Sequence, residues 1–426
     1  MSHEPTLEYA CALDEQDPLR SFRGQFALPA DASGHPLLYL CGHSLGLMPL
    51  EARRVVEEEL DRWARLGVLG HEAESRPWIP YHRNVTAGLA YLGGARPDEV
   101  IAMNSLTVNL HLMLASFYRP LGRRVKILIE AGAFPSDRHA VASQLGWHGH
   151  DPDRTLIELA PARGEDTVSH EAIEACLDEH GADIALVLWP GVQYRTGQAF
   201  DVERVVQAAH RAGCIAGIDL AHAIGNVPLE LHAWGVDFAV WCNYKYLNAG
   251  PGAIGGCFVH ERHLQSLPTT RLQGWWGHEA STRFRMEPQF EPEPGAAAWQ
   301  ISNPPILSTA PLLPSLDLFR QAGIERLRGK SRSLTGLLEF LLAPLGPDVA
   351  LITPCEPAAR GCQLSLRIAG RDRRGRRILD RLAQLGAVCD WREPDTIRVA
   401  PVPLYNTHAD VFRFSELLAQ ALREPA

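Results

Sequence analysis

The sequence predicts an α/β protein in which a large domain, built on a mostly parallel central sheet flanked by helices, is followed by a small α+β C-terminal domain. Two observations predict it. From about residue 50, short β-rich runs alternate with stretches of helical periodicity, the pattern of strands joined through helices. The chain of 426 residues also exceeds one ordinary domain, and 46% hydrophobic against 21% charged residues supplies a sizeable core and excludes a disordered polymer.

Taken in order, residues 1–45 are expected to form an N-terminal segment packing with the small domain. Residues 51–66 place apolar side chains at helical intervals. Strand-like runs follow at 99–103, 125–130, 184–189, 214–220, 238–242 and 254–259, with helical stretches at 105–118, 136–145 and 202–212 between several of them. The Pro-, Glu- and Gly-rich stretch 287–305 breaks the alternation, so the large domain is assigned to 46–310 and the small one to 311–426. In the small domain a strand is expected at 362–368, a helix at 373–385, short strands at 387–391 and 396–400, and a closing helix at 409–422.

A net charge of -9 argues against nucleic acid or an anionic membrane as partner, because a basic field is what concentrates a protein on phosphates. A small-molecule substrate is expected instead. The nine cysteines are scattered without a CxxC pair, which reads as a reduced, cytoplasmic protein. The start of the chain lacks a basic segment followed by an apolar core, and no apolar run reaches bilayer-spanning length.

The most informative stretch is 215–256. Lys245 follows the apolar run 238–242 and precedes small, Gly-rich chain, so it projects from a strand end into crowded surroundings. Desolvation there favours the neutral amine, the form that attacks a carbonyl to make an imine. Asp219 closes the run 214–218. A buried carboxylate needs a cationic partner, and the protonated pyridine nitrogen of pyridoxal 5'-phosphate (PLP) is one. By spacing alone, Asp219 is equally a helix cap or a metal ligand with His222. The order strand, Asp, strand, Lys favours the cofactor, since ligands of open α/β sheets collect at the carboxyl ends of strands. Asn104 to Thr107 lies between a strand and a helix and offers free N–H groups to a phosphate, or simply a helix cap. Phe134, at a second strand-to-helix junction, offers a ring to stack, though most Phe residues are core.

Nine segments then carry a resemblance: CGHSLGLMP (41–49), GHE and RPW (70–78), FPSD (134–137), GVQYRTGQ (191–198), DLAHAIGN (219–226), VDFAVWCNYKYLNAGPG (236–252), GWWGHE with STRF (274–284), ISNPP (301–305) and RVAPVPLYN (398–406). In this order, from about residue 40 to the C-terminus, they resemble the kynureninase family of PLP enzymes. The resemblance implies an aspartate-aminotransferase-like, type I fold and hydrolysis of L-kynurenine, or of its 3-hydroxy derivative, with Lys245 carrying PLP as a Schiff base. It further implies that Leu106 and Thr107 hold the phosphate with the hydroxyl of Tyr244, that Phe134 stacks on the ring, and that Asp219 pairs with the ring nitrogen. Asp137 and His222 complete the cofactor shell. Trp275 and Asn303 resemble residues that reach in from a second subunit, so a homodimer is expected. Arg398 resembles a carboxylate-binding arginine, and His71, Ser44 and Asn303 line the substrate pocket, although His71 and Ser44 also read as ordinary loop and turn residues. Tyr244 and Lys245 are the implied acid and base near the substrate carbonyl, and no metal is implied.

One departure stands out. Pro190 occupies the place before Gly191 where the family has Ser or Thr, which removes a hydroxyl from the cofactor's edge. Two other functions compete on the residues alone. A class-V aminotransferase or cysteine desulfurase would keep the cofactor, the latter with Cys355 or Cys362 as nucleophile on a flexible loop. A non-catalytic scaffold would not need an intact Asp219 and Lys245.

Overall fold

The computed structural model describes residues 3–264, 270–370 and 374–424. The chain opens with a helix, Leu7–Glu15, and a short strand β1 (Leu38–Tyr39). Seven strands then build the main sheet: β2 (Val100–Ala102), β3 (Lys126–Glu130), β4 (Leu156–Leu159), β5 (Ile184–Pro190), β6 (Ile215–Asp219), β7 (Phe238–Cys242) and β8 (Gly255–Val259). Their spatial order is β2-β8-β7-β6-β5-β3-β4. Pairing is parallel from β4 through β7, and β8 runs antiparallel to both β7 and β2. The mostly parallel sheet expected from the alternation is therefore present.

Strands β5 to β8 read as near-continuous apolar runs because both of their faces are covered. Alternate residues feed opposite layers. Leu128, Val187, Ile218 and Trp241 enter one layer of this first core, whereas Ile127, Leu186, Phe238 and Val240 enter the layer on the sheet's other face. The helix Val202–Arg211 shows how sequence sets one layer: Asp201 caps it by accepting the N–H of Arg204, and Val202, Val205, Val206 and Ala209 form its buried face. Truncating a fully buried side chain such as Trp241 to Ala costs about 3–5 kcal/mol by loss of apolar contact and cavity formation.

The second core lies between the helices Ile324–Leu342 and His408–Arg423 and the antiparallel sheet β12-β13-β10-β9. Its strands are β9 (Val349–Leu351), β10 (Leu364–Ile368), β11 (Ala387–Val388), β12 (Asp390–Arg392) and β13 (Thr396–Val399). Ala10 and Leu40 of the N-terminal segment enter this core, and β1 pairs in parallel with β11.

Several elements depart from expectation, β1 and β9 among them. β4 was not expected, because a four-residue strand at the sheet edge is only partly buried and carries Glu158 outward. The helix Leu312–Ala322, expected in the small domain, packs its Leu312, Leu316 and Phe319 into the first core, and the chain crosses to the second at Gly323. Periodicity shows that a helix is amphipathic but not which core receives its face. The helix expected from 373 is described as Arg374–Gln384, and residue 373 lies outside the described residues.

Candidate active site

A cavity opens at the carboxyl ends of β3, β5, β6 and β7, where an open α/β sheet collects its ligands. Leu106, Thr107, Phe134 and Asp137 line one part of it, and Asp219, His222, Tyr244 and Lys245 another. These eight expected residues come from four separate strand ends. Trp189, Pro190, Gln193, Tyr194 and Glu130, which sequence reasoning did not single out as site residues apart from Pro190, complete much of the wall.

The chain has only three lysines, and their surroundings differ sharply. Lys126 pairs with Asp183 at 3.5 Å, and Lys330 pairs with the buried Asp17 at 2.7 Å. Lys245 instead points into the cavity, with Nζ 3.1 Å from His222 Nε2 and 5.8 Å from the centre of the Phe134 ring. Burial, then the neighbouring cations Lys245 and Arg398, push the His222 imidazole well below its ordinary range, so it is neutral and Nε2 accepts from the lysine. Its Nδ1 is then a buried donor without a partner among the described residues.

Two glycines let the segment 41–48 close over this lysine. A Cβ on Gly46 would strike the carbonyl oxygen of Lys245 and the side chain of Asn248, and one on Gly42 would strike the hydroxyl of Tyr405. The N–H of Gly46 donates to the carbonyl of Tyr244 at 2.9 Å, which fixes the approach.

Asp219 and Asp137 form a second constellation. Both are buried, and Asp219 Oδ1 accepts the N–H of Ala221 at 2.7 Å. Burial, then repulsion and a hydrogen bond from the Asp219 side, raise the Asp137 carboxyl well above the usual range. Asp137 is thus the carboxyl of the pair that holds its proton. A buried carboxylate pair lining the floor of the cavity suits a cationic ligand edge such as a protonated ring nitrogen. The buried Asp137 Oδ1 has no hydrogen-bond partner among the described residues, which fits a polar ligand edge.

The strand-to-helix junction after β2 fits a phosphate. Asn104 adopts φ 45°, its carbonyl accepts from Gly255 at 2.7 Å, and its side chain donates to Asn109 at 3.0 Å. Ser105 takes the cap position of the helix Leu106–Phe117, yet its side chain makes no capping bond. The first-turn N–H groups are therefore left for another acceptor, at the positive end of a 12-residue helix. Tyr244, whose phenol is raised above its ordinary range by burial and by the thiol of Cys242 to which it is hydrogen-bonded, remains protonated and able to donate.

Arg398 and Ser44 lie beside the cavity, behind Tyr194. Arg398 Nη1 donates to the Tyr194 carbonyl at 2.7 Å, Nε donates to Asp390 Oδ1 at 2.7 Å, and Nη2 donates to Asp390 Oδ2. Ser44 donates to Asp390 Oδ2 at 2.8 Å, and His43 Nε2 meets Oδ1 at 3.1 Å. Burial raises the Asp390 carboxyl, but hydrogen bonds from His43 and Arg398 outweigh it and hold the group well below the usual carboxylate range. Burial pushes His43 down to about 4, with Arg398 adding to the effect. Asp390, His43 and Tyr194 escaped sequence reasoning; only the run of alternating charges in Asp390, Arg392 and Arg398 hinted at a cluster.

Arg398 and Ser44 do not themselves line the cavity, and three further expected residues lie away from both it and this cluster. His71 is exposed on the turn Gly67–Glu72 and meets the Trp78 ring edge-on at 5.7 Å. Trp275 is exposed, its Nε1 donating to the Arg283 carbonyl at 3.1 Å, and Asn303 is exposed beside Ser302. Neither cysteine of the desulfurase alternative reaches the cavity. Cys362 is fully buried in the first core, and Cys355 is exposed and raised by its bond to Glu339.

Known proteins resemble this chain over nearly its whole length. Residues 65–367 match the aminotransferase class-V family, and residues 327–418 match the kynureninase C-terminal domain. A kynureninase of Xanthomonas campestris pv. campestris (strain B100) is 58% identical over 418 residues, covering 98% of each chain. One of Stenotrophomonas maltophilia (strain K279a) is 54% identical over 417 residues, again covering 98% of each. Among solved structures, a C-DES mutant with glycine covalently linked to the PLP cofactor superposes with a TM-score of 0.76 at 18% identity, over 95% of this chain and 99% of that one. The cysteine desulfurase CsdA of Escherichia coli gives 0.75 at 19% identity, over 95% and 98%. At such identities the two structures speak to fold alone.

Proposed function

This chain belongs to the kynureninase family, and from that premise we propose that it hydrolyses L-kynurenine to anthranilate and L-alanine with PLP held at Lys245. The observation that carries the residue assignment is the isolation of Lys245. It is the one lysine of three that faces a cavity instead of a carboxylate, and it does so beside a neutral imidazole and above the Asp137 and Asp219 pair.

The residues present fit the cofactor. The first turn Leu106 and Thr107, with the Tyr244 hydroxyl, would hold the phosphate, Phe134 would cover one ring face, and Asp219 backed by Asp137 would meet the ring nitrogen. His222 would present its unpartnered Nδ1 to the cofactor's edge. Pro190, paired across the sheet with Asp219, offers only its ring there. When bound, PLP supplies an electron sink for the pair released from the substrate's α-carbon.

The chain's own groups do the rest. Arg398, aimed by Asp390, would bind the α-carboxylate of kynurenine, with Ser44 beside it. The Lys245 amine would take and return the α-proton, relieved of competing charge by its bond to neutral His222. Water adds to the γ-carbonyl carbon, the bond between β- and γ-carbons breaks, the added oxygen leaves in the anthranilate carboxylate, and a proton is delivered to the β-carbon that becomes the methyl of alanine. Tyr244 and Lys245 are the groups placed to move those protons.

Two observations support completion of the pocket by a second copy. Trp275, Asn303 and His71 are exposed in one chain. Leu50, Leu60, Trp63, Val68 and Leu69 also leave an exposed apolar band along the helix Leu50–Leu66 and the turn after it. A homodimer covers that band. No helix among the described residues is long and apolar enough to cross a membrane. A cytoplasmic place in tryptophan catabolism fits the scattered free cysteines and the substrate. The test is to supply L-kynurenine, and separately its 3-hydroxy derivative, to the PLP-loaded protein and follow anthranilate fluorescence or 3-hydroxyanthranilate absorbance. Appearance of either product supports the reading, and silence on both with cofactor bound refutes it.

A further inference from the structure

Glu99, His232 and His260 converge at the end of the sheet opposite the cofactor cavity. Because β8 runs antiparallel to its neighbours, its last residues lie beside the first residues of β2 and β7, with Val100 opposite Phe258 and Phe238 opposite Val259. Glu99 directly precedes β2, His260 directly follows β8, and His232 comes from the connection between β6 and β7, which is tied down by its N–H to the Gly94 carbonyl at 3.1 Å. One potential ligand atom from each of the three residues lies within 4.8 Å of the others.

The detail of the cluster goes beyond a hydrogen-bonded pair. His232 Nδ1 lies 3.0 Å from Glu99 Oε1, and His260 Nδ1 lies 4.0 Å from the same oxygen. The second distance is too long for a hydrogen bond; tetrahedral donors about 2.1 Å from one ion lie roughly 3.4 Å apart, so a shared ion would draw His260 in and ease His232 out by about half an ångström each. The two imidazoles stack at 5.1 Å with planes 10° apart, so their Nδ1 atoms face the carboxylate side by side. Glu99 is fully buried and its carboxylate is fixed from behind by the N–H of Arg96 at 2.9 Å and of Glu261 at 2.8 Å. His260 Nε2 donates to the His232 carbonyl at 3.3 Å, the outer-shell bond that orients a metal-ligating imidazole. Among the described residues its Nδ1 accepts the Arg262 N–H at 3.2 Å, a bond an ion would replace. The nearby guanidinium of Arg262 is engaged by Asp237 and the Gly235 carbonyl, and that of Arg96 by Glu261. The His232 side chain is 35% exposed and leaves a path for an ion and a water.

We propose that Glu99, His232 and His260 form a binding site for a divalent transition-metal ion of borderline softness, Zn2+ first, with water as the fourth ligand. Two imidazoles and one carboxylate are the donor set that selects such an ion over Ca2+ or Mg2+. The ion would staple the lead-in to β2, the β6 to β7 connection and the end of β8, and takes no part in the reaction at the other end of the sheet.

The test uses tag-free, PLP-loaded enzyme stripped with a chelator, titrated with ZnCl2 by calorimetry and with CoCl2 by visible absorption, with thermal unfolding alongside. Saturable binding of one ion per chain, cobalt d–d bands and a higher unfolding midpoint are expected. His232→Ala and His260→Gln should each weaken binding more than ~100-fold, beyond the loss of about 10- to 100-fold that follows from outer-shell changes alone. His43→Ala, which alters the other compact donor cluster of Cys41, His43 and Asp390, should leave binding unchanged. Absence of saturable binding to the wild type, equal binding by His232→Ala, or loss of binding in His43→Ala would each overturn the proposal. Should His260→Gln fail to fold, His232→Ala on the half-exposed connection carries the test alone.

Discussion

The guanidinium of Arg398 is gripped along one edge by the carboxylate of Asp390, with Nε bonded to Oδ1 at 2.7 Å and Nη2 to Oδ2, while Nη1 is fixed by the Tyr194 carbonyl. The fork is therefore aimed before substrate arrives. Arg398→Lys keeps the charge but loses the planar fork, at a cost of about 1.5–3 kcal/mol for charged hydrogen bonds, or roughly 10- to 100-fold in kcat/KM. Asp390→Asn keeps the shape and removes the anion, which should raise KM for kynurenine more than it lowers kcat. It should also cost about 3 kcal/mol of stability, since a buried arginine loses its partner. Steady-state kinetics with a denaturant titration check both, and an Asp390→Asn enzyme with unchanged KM would show that Asp390 does not aim Arg398.

Glu130 lines the cavity with one carboxyl oxygen unpartnered among the described residues, and burial pushes it up to about 8 despite a hydrogen bond from Gln193. The unfolded value is about 4.3, so between these two pH values the folded chain holds a proton that the unfolded chain has lost. Stability from this group is intact below about pH 4.3 and declines as pH rises toward about 8, by on the order of 3 kcal/mol at neutral pH. Glu130→Gln should make the cofactor-free protein more stable than wild type at pH 8 and leave it equal near pH 4.5. Urea midpoints across that range test it; parallel curves for the two proteins would mean that Glu130 ionises normally.

Trp275 and Asn303 are exposed in the single chain, whereas Lys245 lies inside it. If the site is shared, Lys245→Ala and Trp275→Ala each inactivate a homodimer, but a mixed dimer contains one site with both native residues. Unfolding the two inactive variants together and refolding them should restore anthranilate production. Mixtures that stay inactive while forming dimers would place Trp275 outside the neighbouring site.

Much of the fold was legible because buried parallel strands such as Phe238–Cys242 print as unbroken apolar runs, and because Lys245 and Asp219 directly end or follow such runs. β4 was not legible. At the sheet edge its Leu156–Leu159 side chains are mostly half-buried, which leaves neither a continuous run nor a clean alternation. The clamp on Arg398 was equally hidden, since Ser44, Tyr194 and Asp390 are far apart in sequence and meet only once the N-terminal segment crosses to the small domain. The helix Leu312–Ala322 was read as a helix but given the wrong core, because an apolar stripe does not name its partner.

The central claim is that the cofactor sits on Lys245, and borohydride reduction of the PLP-loaded enzyme tests it most directly. Hydride adds across the imine and fixes the cofactor as a secondary amine on whichever lysine carried it, with only Lys126, Lys245 and Lys330 to choose from. Peptide mass analysis should place the entire added mass on the peptide containing Lys245, and the visible absorption band should be lost on reduction and missing in Lys245→Ala. Label on Lys126 or Lys330, or an enzyme that forms anthranilate without any labelled lysine, would contradict the account.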